Sequence, residues 1–144
     1  MDVMGKSGNY FRSNVWYWRP LWNYCETIAS EITALAENAY SNDGSGLDAD
    51  ASYQLGTKIL EEYEAGRTAE YQWEYEAHLA SLPDEECIFC KGSGVRENMA
   101  LPDGCNACSG KGIGRPWACN YYFDADFAKE FAEFLKASEG FEIW

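Results

Sequence analysis

The chain has 144 residues, the length of one ordinary globular domain, and its 47% hydrophobic and 16% aromatic content predicts a folded protein despite a net charge of −13. Most of that charge lies between residues 41 and 86, which contain twelve acidic residues and only two basic ones, Lys58 and Arg67. A negative field of this kind repels phosphate backbones, so we expect no binding to duplex nucleic acid. No stretch approaches the roughly 20 apolar residues that span a bilayer, so we expect no membrane as a partner.

An aromatic-rich segment opens the chain, with seven Phe, Trp and Tyr side chains between residues 10 and 24. Two interpretations are open. The rings could form a core and leave one or two as anchors for a protein partner, for which Trp16, Trp18 and Trp22 are the candidates. With two interleaved arginines, the same rings could instead stack on single-stranded bases.

The first predicted helix follows from Pro20. Proline suits the first turn of a helix, and the apolar residues from Leu21 onward recur at helical spacing. A cluster of turn-forming residues at 41–46 ends the pattern. The sequence therefore predicts a helix from about Pro20 to Tyr40.

Two further helices are predicted between residues 48 and 81. Asp48 or Asp50 caps the first, and Gly66 separates it from the second, which Thr68 caps. The apolar residues expected to face inward are Leu55, Ile59, Leu60 and Tyr63 in the former and Trp73, Ala77 and Ala80 in the latter.

Both of these helices carry more acids than helix stability explains, because like charges at helical spacing repel each other. We therefore expect this acidic surface to contact a protein partner with a basic surface. The candidate contact residues are Glu61, Glu62, Glu70 and Glu74. A solvated face that serves only solubility is the alternative.

The strongest motif is a duplicated C-x-x-C-x-G-x-G pattern, with 14 residues between its two copies. Two residues between cysteines let both sulfur atoms turn toward one point, and two such pairs complete a tetrahedral site of four thiolates. The first fourteen residues contain no secretory signal, so we expect a reducing cytoplasm, where such pairs bind metal rather than form disulfides. The sequence therefore predicts one structural zinc ion within residues 87–115, bound by Cys87, Cys90, Cys105 and Cys108.

Residues 87–112 resemble the cysteine-rich region of DnaJ-type co-chaperones, which carries four repeats of this motif, binds two zinc ions and helps to hold unfolded polypeptides. This chain has two repeats and hence one zinc ion. It lacks the His-Pro-Asp tripeptide, the Gly/Phe linker and the long β-rich substrate domains of that family. The resemblance implies the metal site, and it leaves a DnaJ-like, thiol-active or co-chaperone-type role as an alternative function.

Two cysteines lie outside the motif. Cys25 falls on the apolar stripe of the first predicted helix, and Cys119 falls in a predicted strand, so both are expected to be small buried hydrophobes. The alternative is a reactive thiol that uses His78, the single histidine, as its base.

The chain ends with a predicted strand, helix and strand. Alternation over residues 117–123 predicts the first strand, and residues 141–144 predict a short edge strand. Asp124 or Asp126 caps the helix between them, which Gly140 ends. The fold class is therefore α+β, a small single domain of residues 1–144 with about four helices, one or two short strands and a four-cysteine zinc-knuckle insertion.

No pattern typical of an active site is present, so the sequence favours a non-enzymatic, zinc-stabilised, acidic protein-interaction module. Its small size and acidity are similar to those of phage-encoded inhibitors or regulators of host proteins, some of which mimic the charge of DNA. Single-stranded nucleic-acid binding through the N-terminal aromatics is a third interpretation.

Overall fold

The structure, a computed structural model, describes residues 1–96 and 104–144. This part of the chain combines five α-helices with short antiparallel strands, which confirms the predicted α+β class. The helices are α1 (Val15–Ile28), α2 (Ser30–Thr33), α3 (Ala49–Glu64), α4 (Arg67–Ser81) and α5 (Ala125–Ala137). The strands are β1 (Asp2–Gly5), β2 (Tyr10–Arg12), β3 (Gly46–Leu47), β4 (Glu85–Glu86), β5 (Ile113–Gly114) and β6 (Phe141–Ile143).

The chain forms two compact units. The first comprises Met1–Glu76 and Tyr121–Trp144, and the second comprises Ala77–Asn120. The second unit contains the predicted metal-binding segment, of which residues 97–103 lie outside the described residues. None of the described helices has the length and apolar character needed to cross a membrane.

A four-stranded antiparallel sheet forms one layer of the first unit, in the order β2-β1-β6-β3. Its register places Val3 opposite both Phe11 and Ile143, and all three side chains are buried. Strand β6 confirms the predicted strand at the end of the chain, but it lies between β1 and β3, so its predicted edge position is wrong.

Helix α1 begins at Val15, earlier than predicted, because the Asn14 side chain caps it by accepting two backbone N–H groups. Pro20 therefore lies inside the helix, where it cannot donate to the carbonyl of Trp16. The N–H of Tyr122 donates to that carbonyl instead, over 2.9 Å. A residue outside the helix thus provides the hydrogen bond to the Trp16 carbonyl that Pro20 cannot provide.

The predicted continuation of the first helix to Tyr40 is wrong. Helix α1 ends at Ile28, a short α2 follows, and residues 34–44 form turns and bends. Ala36 and Ala39 are nevertheless buried, which explains why their spacing resembled a helix face. The carbonyl of Ala39 accepts a hydrogen bond of 2.7 Å from the indole N–H of Trp18.

Helices α3 and α5 begin at predicted caps and pack against each other. The carboxylate of Asp48 accepts the N–H of Ala51, and that of Asp124 accepts the N–H of Phe127. The largest fully buried side chains of the first unit come from the sheet and four helices: Trp18, Trp22, Tyr24, Phe131, Phe141, Leu21, Leu55, Ile59, Leu135, Ile143, Val3 and Thr68.

Helix α4 turns a different face inward from the predicted one. Thr68 lies within the helix rather than at its cap, and its hydroxyl is hydrogen-bonded to the hydroxyl of Tyr24 over 2.7 Å in the core. One turn later, the side-chain carbonyl of Gln72 accepts the N–H of Ala125 over 2.8 Å. These polar partners fix the rotation of the helix. The residues predicted to face inward are exposed: Trp73, Ala77 and Ala80.

The predicted strand at residues 117–123 is also wrong. Residues Trp117–Asn120 form a 3-10 helix, in which the N–H of Cys119 donates to the carbonyl of Pro116 over 2.9 Å. The Asn120 side chain donates to the carbonyl of Trp117 and so satisfies the end of this turn. Local hydrogen bonds therefore replace the expected ladder.

Candidate metal centre

Four cysteine sulfur atoms meet in the second unit, all within 4.8 Å of one another and all buried: Cys87, Cys90, Cys105 and Cys108. The Sγ atoms of Cys87 and Cys105 are 3.9 Å apart, and those of Cys90 and Cys108 are 3.8 Å apart. A disulfide would need about 2.05 Å. A tetrahedron with metal–sulfur bonds of about 2.3 Å has edges of about 3.8 Å. The four cysteines could therefore hold a metal ion.

The two cysteine pairs support each other through matching backbone hydrogen bonds. The N–H of Cys87 donates to the carbonyl of Gly112 over 2.8 Å, and the N–H of Cys105 donates to the carbonyl of Gly94 over 2.7 Å. Each repeat thus uses the last glycine of the other to fix its first cysteine. The duplicated motif folds as two interlocked copies.

The last glycine of each repeat is required by the backbone and by the sulfur atoms. Gly94 donates its N–H to the Sγ of Cys90 over 3.3 Å, and Gly112 donates to the Sγ of Cys108 over 3.2 Å. Both glycines have positive φ, +75° and +76°. A Cβ atom at Gly94 would lie 2.4 Å from the carbonyl oxygen of Gly110. These amides offset part of the thiolate charge.

The surroundings change the acidity of the thiols in different directions. Burial raises the pKa of Cys105, but the Arg96 guanidinium and nearby backbone amides outweigh it and bring the pKa to about 6. The backbone amide of Cys90 lowers the pKa of Cys87, whereas burial raises the pKa of Cys90 itself to about 11. Because thiolates repel one another, a cation among them is what would hold all four ionised.

Of the four cations near the cysteines in sequence, two have defined roles in the described structure. Arg96 lies over the ring of Phe89, 4.6 Å from its centre, and hydrogen-bonds to Cys105. Arg115 donates to the carbonyls of Leu79 and Leu82, each over 2.6 Å. Lys91 and Lys111 are exposed. One guanidinium thus compensates thiolate charge, and another ties together the chain before and after the cysteines.

The two cysteines outside the cluster occupy different environments. Cys25 is fully buried in the core of the first unit, and burial raises its pKa, so its thiol is a core side chain. Cys119 is half-buried, and Arg115 donates to its sulfur over 3.5 Å. His78 is exposed, and no hydrogen bond in the described parts of the chain joins its side chain to either cysteine. The alternative of a Cys–His pair gains no support.

The aromatic candidates for partner contact are mostly core residues. Trp18 and Trp22 are 0% and 1% exposed, so their assignment to a contact surface is wrong. Four of the seven rings of this segment are buried, since water solvates large rings poorly: Phe11, Trp18, Trp22 and Tyr24. Trp16 is half-buried and packs against Tyr121, with ring centres 5.1 Å apart.

The acidic candidates divide in the same way. Glu62 is buried, and its carboxylate binds the ammonium of Lys58 over 2.8 Å and the guanidinium of Arg67 over 3.0 Å. These two cations lower its pKa to about 2, so Glu62 is a structural residue and its assignment as a contact residue is wrong. Glu61, Glu70 and Glu74 are exposed.

Sequence reasoning missed one conspicuous surface residue. Trp73 is 70% exposed on α4, between Glu70 and Glu74. The signal was available in the polar residues of that helix, because Thr68 and Gln72 need a shared inward face to reach their partners. That face directs Trp73 outward.

Comparison of the chain with known protein families, with curated proteins and with solved structures gives no match. The resemblance of residues 87–112 to DnaJ-type cysteine-rich regions therefore rests on the pattern of cysteines and glycines alone. Fold and site together define an α+β protein with a cluster of four buried cysteines that could hold a metal ion.

Proposed function

We propose that this protein is a zinc-stabilised, non-enzymatic module that binds a basic surface of a partner protein. Zinc suits the ligand set, because four thiolates close enough to surround one ion are typical of structural zinc sites. Cysteine supplies all four ligands, so no position is open to a substrate. The metal then contributes to folding rather than to chemistry.

The observation that carries the proposal of protein binding is the exposed Trp73, which lies among carboxylates that form no ion pair in the described part of the chain. Tryptophan is enriched among the residues that dominate protein interfaces, since its large ring releases much water when it is covered. Glu70 and Glu74 flank it on α4 and are exposed. An apolar anchor inside an acidic rim complements a partner that presents an apolar cavity with lysines or arginines around it.

The charge of residues 41–86 supports a basic partner. The structure describes all of residues 41–86. Of the twelve acids in this region, Glu62 and Asp84 form ion pairs with described residues. The other ten acids of this region form no ion pair with any residue that the structure describes. Excess negative charge of this kind accelerates encounter with a basic protein and disfavours phosphate backbones.

The test uses affinity purification at low and high salt, followed by affinity measurement with the purified partner. The variant Glu61→Gln/Glu70→Gln/Glu74→Gln should weaken binding and reduce its salt dependence. The control Glu37→Gln/Glu139→Gln/Glu142→Gln makes the same charge change at exposed positions elsewhere and should bind normally. Equal behaviour of the two variants would contradict the assignment of this surface.

A further inference from the structure

A groove beside the cysteine cluster offers a second recognition site, which lies wholly within the second unit. Its volume is about 400 Å³, in the lower range of ligand sites in proteins. Residues of both cysteine repeats, of β4 and β5 and of the 3-10 helix line it. The charged and large apolar residues of its lining include Glu85, Glu86, Ile88, Phe89, Arg115 and Trp117.

The apolar lining of the groove is exposed for a geometric reason. Cys87 and Cys90 direct their sulfur atoms inward, so the two residues between them, Ile88 and Phe89, are left on the outside with 70% and 53% of their surface exposed. Trp117, on the 3-10 helix, is 54% exposed. Large apolar side chains that gather around a concavity in water are typical of a binding site.

The charge of the groove is negative, although a guanidinium lines it. Arg115 is committed to its own unit, since it donates to the carbonyls of Leu79 and Leu82 and lies 3.4 Å from the carboxylate of Asp84. Glu85 and Glu86 are exposed and form no ion pair with any residue that the structure describes. Two acidic residues without an ion pair in the described structure therefore line the groove beside its apolar residues.

We propose that this groove binds a linear segment of a protein partner in which a bulky apolar side chain stands next to lysine or arginine. The apolar side chain packs on Ile88 and Trp117, and the cation pairs with a carboxylate of β4, either Glu85 or Glu86. The inference rests on the proposed function, because the same partner class is involved and the metal holds the groove in shape. It adds the chemistry of the recognised segment and a site separate from Trp73.

The test uses the zinc-loaded full-length protein and three fluorescein-labelled peptides of equal length. One peptide combines leucine with lysine, one replaces the lysines by glutamate, and one replaces the leucines by serine. Fluorescence anisotropy should give affinity for the leucine–lysine peptide that is about tenfold or more above that for either of the others, because each kind of contact is worth about that factor. Equal binding of the glutamate peptide would overturn the proposal and indicate unselective capture of apolar chains.

Matched variants locate the binding. Trp117→Ala and Ile88→Ser should each weaken binding of the leucine–lysine peptide about tenfold. Val95→Ser changes an equally exposed apolar residue of the same unit that does not line the groove, and it should leave the affinity unchanged. Glu85→Gln/Glu86→Gln should remove the preference for lysine over glutamate, whereas Glu61→Gln/Glu64→Gln should not.

The zinc content of each variant shows that its metal unit is folded. The proposal that the groove binds peptides would be overturned if folded Trp117→Ala and Ile88→Ser kept the full affinity for the leucine–lysine peptide. It would also be overturned if none of the three peptides bound. If a purified partner then loses affinity with Trp73→Ala but not with Trp117→Ala, the proposed function stands and the groove alone is wrong. If neither variant affects the partner, both are wrong.

Discussion

The backbone N–H of Cys87 donates to the carbonyl of Gly112, and this 2.8 Å bond joins the first ligand of one repeat to the last glycine of the other. The same relation, inverted, joins Cys105 to Gly94 over 2.7 Å. The metal site is thus built from two halves that complete each other. Substitution of the last glycine of either repeat should therefore displace cysteine ligands of both repeats.

Gly112→Ala should weaken metal binding about tenfold or more. The added Cβ would lie 2.2 Å from the carbonyl oxygen of Gly92, and alanine at a φ of +76° carries strain of about 1 kcal/mol besides. Competition with a coloured zinc chelator measures the change. Gly114→Ala is the control, because a Cβ there meets no atom within 4 Å. Equal zinc retention in the two variants would show that the close backbone contact is unimportant.

Glu62→Gln should lower the free energy of unfolding at neutral pH by about 1–2 kcal/mol, since it breaks contacts to Lys58 and Arg67 that are partly screened by solvent. The pKa of Glu62 in the folded protein, about 2, lies below its ordinary value of 4.5. The contribution of the Glu62 carboxylate to the free energy of unfolding is therefore fully present above about pH 4.5 and is lost as the pH falls toward 2. Chemical denaturation at several pH values measures this.

The exposed neighbour gives the control for that prediction. Glu61→Gln makes the same change without an ion pair and should shift the stability by no more than about 0.5 kcal/mol. A difference between Glu62→Gln and the unmodified protein that stays constant from neutral to strongly acidic pH would contradict the ion-pair assignment.

The buried hydrogen bond between Tyr24 and Thr68 predicts a double-mutant result. Thr68→Val leaves the tyrosine hydroxyl without its partner and should cost about 1–3 kcal/mol. Tyr24→Phe/Thr68→Val removes both polar groups, so it should be more stable than the sum of the single changes implies. Burial also raises the pKa of Tyr24 to about 12, which absorbance titration can check in the folded protein. Simple additivity would mean that the two hydroxyls are not coupled.

Truncation of Trp18 should destabilise the protein strongly, whereas truncation of Trp73 should leave its stability almost unchanged. Trp18→Ala removes a fully buried ring whose N–H donates to the carbonyl of Ala39, and it should cost about 3–5 kcal/mol. Trp73→Ala should change the stability by less than about 0.5 kcal/mol, because that ring is mostly in water. Thermal unfolding followed by circular dichroism compares them. Similar losses in both variants would show that Trp73 is part of the core.

The sequence predicted the cysteine cluster because its information is local. The spacing within each repeat directs two sulfur atoms to one point, and the glycines permit the positive φ values that follow. The caps Asp48 and Asp124 were predicted for the same reason, since a cap acts within three residues.

The sheet and the inward face of α4 could not be predicted in this way. Strand β1 pairs with β6 from the other end of the chain, and strands of two to four residues carry almost no alternation. Helix α4 is oriented by polar contacts to Tyr24 and Ala125. The spacing of apolar residues carries no information about such contacts. Tertiary partners, rather than local pattern, decide both features.

The metal content of the purified protein, measured by native mass spectrometry together with elemental analysis, tests the central claim most directly. We expect one zinc ion per chain and no disulfide among Cys87, Cys90, Cys105 and Cys108. The zinc ion should be lost in Cys87→Ser and retained in Cys119→Ser. A metal-free protein, an iron centre, or disulfides within this cluster would contradict it.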